Sequence, residues 1–282
     1  MRIGRLVSQV TVWTRSLSPL SALGITLLCV IVALAALAPL ITRWGPTEID
    51  FESMLSPPGT PNHLLGTDRN GMDILSRILY AARIDVGVAI ASVAIAASVG
   101  SAVGAVVGFV GGWVDDVAMR VVDVLQSFPA FIFALGVAVV IGTSIPSLIL
   151  LLALVNTSSY VRIMRAEVRA TREHGWVEAA RCAGLSSTHI LFRQVVPNSM
   201  RPTLVIAPLN CGWVILLLAS LSFVGLGIPV PEAEWGAMIS AGTEEIASGI
   251  WWTSVVPGIM LFLTVLGFSL ASEGAQLQRP SR

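Results

Sequence analysis

The sequence contains no lysine, and all 17 of its basic residues are arginine. A phosphate-binding loop that ends in Gly-Lys-Ser/Thr and a Schiff-base lysine are therefore both excluded from this chain. Charged residues make up only 12% of the 282 residues, whereas a soluble domain carries roughly 25%. The formal net charge is zero, so the composition gives no electrostatic reason to expect nucleic acid as a partner.

Cysteine and histidine are also scarce, with three of each. The six residues are Cys29, Cys182, Cys211, His63, His174 and His189. None of them shows the spacing of a zinc site, a redox pair or a nucleophile–base pair, so we predict no catalytic residue and no metal site. We interpret the cysteines as small apolar residues.

Long apolar runs dominate the sequence instead. Hydrophobic residues form 55% of the chain, and its mean hydropathy is +0.81. A helix needs about 20 apolar residues to cross a bilayer. Six stretches reach or approach that length: 20–41, 84–110, 117–142, 145–161, 203–226 and 251–271. The sequence therefore predicts an all-α, polytopic membrane protein with six transmembrane helices.

The positions of the arginines orient these spans, because basic loops stay on the cytoplasmic side. With the N-terminus inside, 13 arginines lie in the cytoplasm and four lie outside. This predicts a cytoplasmic segment 1–19, an outer loop 42–83 with an amphipathic segment, a core domain 84–273 with five further spans, and a cytoplasmic tail 274–282. A cleaved signal peptide is the alternative for the first span, but its apolar run exceeds the usual core of about 7–15 residues.

Four glycines in and just after the second span lie four residues apart: Gly100, Gly104, Gly108 and Gly112. This spacing puts them on one helical face, where a neighbouring helix can approach closely. We predict a helix-packing face there, with or without a further role. In the third span Asp123 follows Arg120 by three residues, and we interpret the two as a structural pair. The alternative is a functional role, which an ionisable group within a span indicates by default.

The most informative segment is the loop 162–202, which holds seven of the arginines. Its local pattern predicts two short helices. The first covers 176–183, with Gly184 as its C-terminal cap. Ser186 or Ser187 can cap the second helix, and Pro197 predicts a stop near its end.

The spacing in this loop matches a known motif. Glu178, Ala179 and Ala180 are followed after three residues by Gly184, and nine more residues precede a Gln-Val-Val-Pro segment that ends at Pro197. This arrangement resembles the EAA loop of ATP-binding-cassette (ABC) importer permeases. The resemblance implies a coupling helix that lies parallel to the membrane, docks in a cleft of the ATPase subunit and converts ATPase closure into movement of the spans.

The resemblance also implies which residues couple the chain to the ATPase. They are Trp176, Glu178, Ala179, Ala180, Arg181, Gly184 and Pro197. The two alanines would let another surface approach closely, the Glu178 carboxylate suits a basic partner, and Trp176 can act as an amphipathic anchor. The alternative interpretation is an ordinary amphipathic hairpin at the membrane surface.

Further segments match one family in order along nearly the whole chain. They are 63–77, 111–115, 119–123, 128–129, 221–227 and 235–238. Together they resemble the dipeptide/oligopeptide/nickel permease family, specifically its second permease type. Met72 stands where that family has arginine, which leaves the role of that guanidinium group open.

This resemblance implies the type I ABC importer permease fold and half of a translocation pathway for di- or oligopeptides, in the cytoplasmic (inner) membrane of a prokaryote. The implied partners are a second homologous permease, two ATPase subunits or domains, an extracytoplasmic substrate-binding protein and the lipid bilayer. ATP and Mg²⁺ would bind to the ATPases, with no cofactor and no catalysis in this chain. The alternatives are the same transporter class carrying a nickel chelate, haem or another small solute, a secondary transporter, and a membrane scaffold.

The outer segment contains a cluster of charged residues: Asp68, Arg69, Asp73 and Arg77. An EF-hand calcium loop needs its glycine at the sixth position, whereas here the glycine is the fourth residue counted from Asp68. We therefore interpret the cluster as part of a turn, and we predict that these four residues contact the substrate-binding protein.

Overall fold

A computed structural model describes residues 18–229 and 231–277. Within these ranges the protein is helical, with isolated β-bridges and no β-strand. The helices are α1 (Pro19–Ile41), α2 (Ile74–Val110), α3 (Gly112–Ser127), α4 (Ala130–Ile141), α5 (Ile145–Arg172), α6 (Gly175–Cys182), α7 (Ser187–Ile190), α8 (Val196–Ser199), α9 (Arg201–Phe223), α10 (Trp235–Ile246) and α11 (Trp252–Leu277). Nearly all of the predicted cytoplasmic segment 1–19, and most of the tail 274–282, lie outside the described residues.

Five helices are long and apolar enough to cross a membrane, namely α1, α2, α5, α9 and α11. The pair α3 and α4 meets the same test when taken together, although the two helices bend by 90° at the break between them. The chain is therefore a multi-pass, all-α membrane protein, as the sequence predicts.

The third predicted span, 117–142, is not continuous. Pro129 has no backbone N–H and disfavours helical geometry in the residue before it. Phe128 is accordingly extended, with φ −85° and ψ 136°, and the chain changes direction there. Hydropathy runs unbroken through this point, so the prediction of one continuous helix is wrong.

Two helices extend beyond the spans predicted for them. α2 begins at Ile74, well before the predicted start of the second span at 84, and the Asp73 carboxylate caps it by accepting a backbone N–H of the first turn at 2.8 Å. Arg83 lies within this helix, and its guanidinium donates to the carbonyl oxygen of Ala35 in α1 at 2.7 Å. α5 continues past the predicted end at 161, so the first part of the predicted loop 162–202 is helix.

The glycine face of α2 packs against α5, which runs parallel to it. A Cβ atom added at Gly104 would lie 2.5 Å from the carbonyl oxygen of Val161, and one at Gly100 or Gly108 would lie 2.6 Å from an α5 atom. Only glycine permits this approach. Gly112 does not belong to the face, because it lies beyond the end of α2 and has open space around it.

The helices pass back and forth between two ends of the bundle. The arginine end holds the C-terminus of α2 and residues 173–200, and the cap end holds residues 42–73 and 224–251. Two buried tryptophans tie the cap end together. The Trp235 indole N–H donates to the carbonyl oxygen of Ile78, and that of Trp252 donates to the carbonyl oxygen of Thr67, both at 3.1 Å.

Candidate functional site

The hairpin at the arginine end (residues 175–199) begins with α6, which ends in a Schellman motif. The Leu185 amide donates to the carbonyl oxygen of Ala180 at 3.2 Å, and the Gly184 amide donates to that of Arg181 at 2.9 Å. Gly184 has φ +78°, a conformation that glycine adopts with little strain. The structure thus places Gly184 at the predicted C-terminal cap.

The second helical path of the hairpin begins at Ser186, whose Oγ accepts a backbone N–H from the first turn of α7. It passes through a π-helical turn, Leu191–Val195, and continues through α8. Pro197 therefore lies inside the path but near its end at Ser199, and the helix does not stop at the proline itself. Proline cannot donate to the carbonyl four residues before it. The path continues because the helical hydrogen bonds widen to the π pattern just before Pro197. There the Val196 amide donates to the carbonyl oxygen of Leu191, five residues earlier.

One face of the hairpin is anchored in a small core of its own. Val177 is only 1% exposed, and Ile190 and Val195 are fully buried. They pack against the ends of α2 and α5, on Ala105, Phe109, Met164 and Val168. This second core shares no residue with the main core of the bundle. The hairpin is therefore attached to α2 and α5 mainly by this compact apolar contact, to which a hydrogen bond from Ser199 Oγ to Thr171 Oγ1 at 3.0 Å is added.

The opposite face of the hairpin is exposed. It presents Trp176, Glu178, Leu185 and Phe192. Arg181 is also exposed, but its guanidinium lies over the Phe109 ring at 5.7 Å, on the anchored side of the hairpin. Ala179 lies on this face, whereas Ala180 is half-buried and packs on the second core. The prediction that both alanines offer a surface to a partner is therefore wrong for Ala180, because the helical period turns it inward.

A charged cluster holds α5, the helix that precedes the hairpin, against its neighbours. Asp115, at the start of α3, is buried and accepts hydrogen bonds from Nε and Nη2 of Arg165, with Nη1 of Arg169 at 3.4 Å. Arg172 donates to the carbonyl oxygen of Phe109 at 2.9 Å. These contacts join the C-terminal turns of α5 to the α2–α3 junction. No such role was predicted for Asp115 from the sequence. The adjacent acidic residues Asp115 and Asp116, together with the arginines of the segment 162–172, could have indicated it.

The predicted pair of Asp123 with Arg120 is wrong. The Asp123 carboxylate instead accepts from Nη2 of Arg162 in α5 at 2.7 Å. Both side chains are more than half exposed, so the pair contributes little to stability. The true partner lies on a different helix, where sequence spacing could not indicate it.

Burial divides the four predicted contact residues at the cap end. The side chains of Asp73 and Arg77 are buried, at 3% and 5% residue exposure, and the Arg77 guanidinium faces Asp68 at 3.6 Å and the carbonyl oxygen of Pro46 at 3.0 Å. The prediction is wrong for Asp73 and Arg77, because their charged groups are buried and contact other residues of this chain. Arg69 is about half exposed and Asp68 partly exposed, so for these two a partner contact stays a prediction.

His63 is buried between two carboxylates. Its Nδ1 lies 3.0 Å from Asp73 and its Nε2 lies 3.3 Å from Asp50, and the Trp44 ring stacks on it at 5.0 Å. A neutral imidazole can donate from only one nitrogen, whereas a protonated one donates from both. This network ties the turn before α2 to the segment after α1.

The stability of the cap end should depend on Asp50 at acid pH. The hydrogen bond with His63 holds the pKa of Asp50 below its usual value, and the Glu52 amide adds to the effect. Such a carboxylate stabilises the folded state above its unfolded-state pKa, and this stability is lost as pH falls through the folded-state pKa. We therefore expect the thermal midpoint to fall more steeply below about pH 4 in the wild type than in Asp50→Asn. Equal slopes in detergent-solubilised protein would contradict this link.

The sequence of the chain is similar to those of known transport proteins over most of its length. A profile of the family described as "binding-protein-dependent transport system inner membrane component" matches residues 100–276, which include the glycine face, the hairpin and nearly all of α11. The chain is 37% identical over 259 residues to the dipeptide transport system permease protein DppC of Escherichia coli K12, covering 90% of this chain and 86% of that protein.

Two further relatives are similar over the same extent. The dipeptide transport system permease protein DppC of Alkalihalophilus pseudofirmus is 33% identical, with 90% of this chain and 83% of that protein covered. The di/tripeptide transport system permease protein DppC of Pseudomonas aeruginosa is 32% identical, with 89% and 84% covered. The resemblance found in the sequence is thereby confirmed, and the chain belongs to the family of binding-protein-dependent transport system inner membrane components.

Proposed function

We propose that the chain is the membrane subunit of an ATP-driven importer of di- or oligopeptides and forms half of its translocation pathway. The observation that carries the proposal is the hairpin, which is anchored on one face and exposed on the other at the end of α2 and α5. Relatives that match most of the chain are named for dipeptide and di/tripeptide transport, which supports peptides as the cargo.

The hairpin is suited to receive force from a separate ATPase. Its exposed face combines two aromatic side chains, Trp176 and Phe192, with the Glu178 carboxylate and the small Ala179, a composition that fits a protein interface. Behind it, the Val177 contact and the Asp115 cluster attach the hairpin and the end of α5 to α2 and α3. Movement of the hairpin would therefore move helices that cross the membrane.

The orientation follows from charge. Seven arginines from Arg162 to Arg201 lie in or next to the arginine end, which supports a cytoplasmic position for that end, where ATP is available. The cap end then faces outward, and its exposed Arg69 lies 3.8 Å from Glu244 on a polar surface that a substrate-binding protein can contact. A second homologous permease and two ATPase subunits or domains would complete the complex.

The proposal is tested with the complete transporter in proteoliposomes, supplied with its binding protein and dialanine. We expect Glu178→Arg to lower both dialanine uptake and peptide-stimulated ATP turnover by about tenfold, because it reverses the charge at a docking surface. Glu173→Arg makes the same change at an exposed position just outside the hairpin and should behave as the wild type. Unchanged uptake and turnover in Glu178→Arg would refute the coupling role.

A further inference from the structure

The break between α3 and α4 opens a cavity of about 570 Å³ in the angle between the two helices. α5 and α9 form its other walls. Its lining includes Gln126, Phe128, Pro129, Asn156, Asn210 and Trp213. We call it the bend cavity. It opens at the surface of the chain, where Phe128 and Trp213 are exposed.

The bend cavity lies near the middle of apolar helices. Asn156 is close to the midpoint of α5, and Asn210 is near the middle of α9. At this depth a non-helical backbone is tolerated only where it is covered by protein or lines a water-filled space. The extended residues Phe128 and Pro129 meet that condition by lining the cavity. Broken helices at mid-membrane are the elements from which transporters build binding sites.

The polar groups of the bend cavity carry no charge. Every lining residue is apolar, a serine or a side-chain amide. Asn156 is only 4% exposed, and its amide nitrogen has no hydrogen-bond partner in the part of the chain that the structure describes. A buried donor left without a partner costs free energy unless a ligand or water satisfies it.

The N-terminus of α4 adds a second set of donors. Pro129 precedes the helix and no side chain caps it, so the first N–H groups of α4 remain available at the cavity wall, where Ala130 lies. Such a helix end favours a carboxylate or a carbonyl oxygen. Side-chain amides and free backbone N–H groups together match the amide and carboxylate groups of a peptide main chain.

We propose that the bend cavity binds the main chain of a peptide during its passage, with the amides of Asn156 and Asn210 and the N-terminus of α4 as the recognition groups. This inference rests on the proposed function and adds the place on this subunit that contacts the cargo. Because the lining is uncharged, peptides with acidic, basic and neutral side chains would be bound through the same main-chain groups.

Asn156→Leu in the reconstituted transporter tests the recognition group. We expect the number of dialanine molecules imported per ATP hydrolysed to fall about fivefold, the effect of one lost hydrogen bond. This ratio separates a lost cargo contact from poor folding, which lowers uptake and turnover together. Thr157→Val is the control, since its hydroxyl bonds within α5 to the carbonyl oxygen of Ala153 and does not line the cavity; its ratio should equal that of the wild type.

An unchanged ratio in Asn156→Leu would overturn the inference while leaving the proposed function intact. Absence of ATP-dependent dialanine uptake by the wild-type complex would overturn both. The two failures are therefore distinguishable in one experiment.

Photocrosslinking tests direct contact. A benzophenone side chain placed at position 128, in place of Phe128, is expected to crosslink to radioactive dialanine during ATP turnover, so that this chain becomes radioactive. The same group placed at Phe262, which is exposed on α11 away from the cavity, should not. Labelling of the second permease alone from position 128 would overturn the inference, because the cavity would then be filled by a subunit interface.

Discussion

Gly104→Val is expected to lower the thermal midpoint of the purified protein by about 5–10 °C, the consequence of overpacking a tight contact by about 2–3 kcal/mol. The new Cβ atom would meet the carbonyl oxygen of Val161 at 2.5 Å and the Cβ atom of Met164 at 3.0 Å. A backbone atom cannot move aside by changing rotamer, so α2 and α5 must separate. Separation also weakens the contacts at Gly100 and Gly108.

Gly87→Val provides the matched control for this experiment. Gly87 lies on the same helix, is exposed, and has no atom within 4 Å of an added Cβ. Valine is a better helix former than glycine, so the midpoint should stay the same or rise slightly. A fall of similar size in both variants would show that the loss of stability in Gly104→Val does not come from the glycine face.

Val177→Asp is expected to reduce ATP-driven peptide uptake by more than tenfold while leaving the bundle folded. The substitution places an unpaired carboxylate in the second core, at a cost of about 3 kcal/mol or more. The hairpin should detach from α2 and α5. Because the second core and the main core share no residue, the thermal midpoint of the bundle should change little, and trypsin should cut faster at Arg181 and Arg193.

Thr188→Asp is the control for the added charge. Thr188 is exposed in the first turn of α7, where an acidic side chain is favourable, so the hairpin should remain attached and uptake should persist. Normal uptake in Val177→Asp, together with faster cleavage of its hairpin, would show that anchoring is unnecessary for coupling.

Hydropathy was sufficient to predict the five long apolar helices and the apolar stretch of the bent pair, but it could not indicate which proline breaks a helix. Pro39, Pro208 and Pro257 all lie inside continuous helices, whereas Pro129 lies at a 90° break. The local rule is the same at each position. The difference arises from the surrounding helices, which are distant in sequence.

The candidate site was predictable where the chemistry is local. Gly184 was identified as a cap because its left-handed conformation depends on its immediate neighbours, and three of the four glycines were identified because their spacing matches the helical period. The inward position of Ala180 depends on the second core, to which α2 contributes Ala105 and Phe109. That information is not contained in the hairpin sequence.

Long-range pairing accounts for the remaining errors. Charged residues in an outer segment indicated a partner surface, yet Asp73 and Arg77 are satisfied inside the chain. Asp123 finds Arg162 on another helix. The bend cavity could not be predicted for the same reason, because Asn156 and Asn210 line one cavity only when α5 and α9 pack together.

Site-specific crosslinking between this chain and the ATPase tests most directly whether the hairpin docks on the ATPase. With Cys29→Ser and Cys182→Ser as the background, which removes the exposed native thiols, Ala179→Cys on the exposed face of the hairpin should crosslink to the ATPase in the assembled complex. Leu64→Cys, exposed at the cap end, should not. An ATPase adduct from position 64 and none from position 179 would contradict the account.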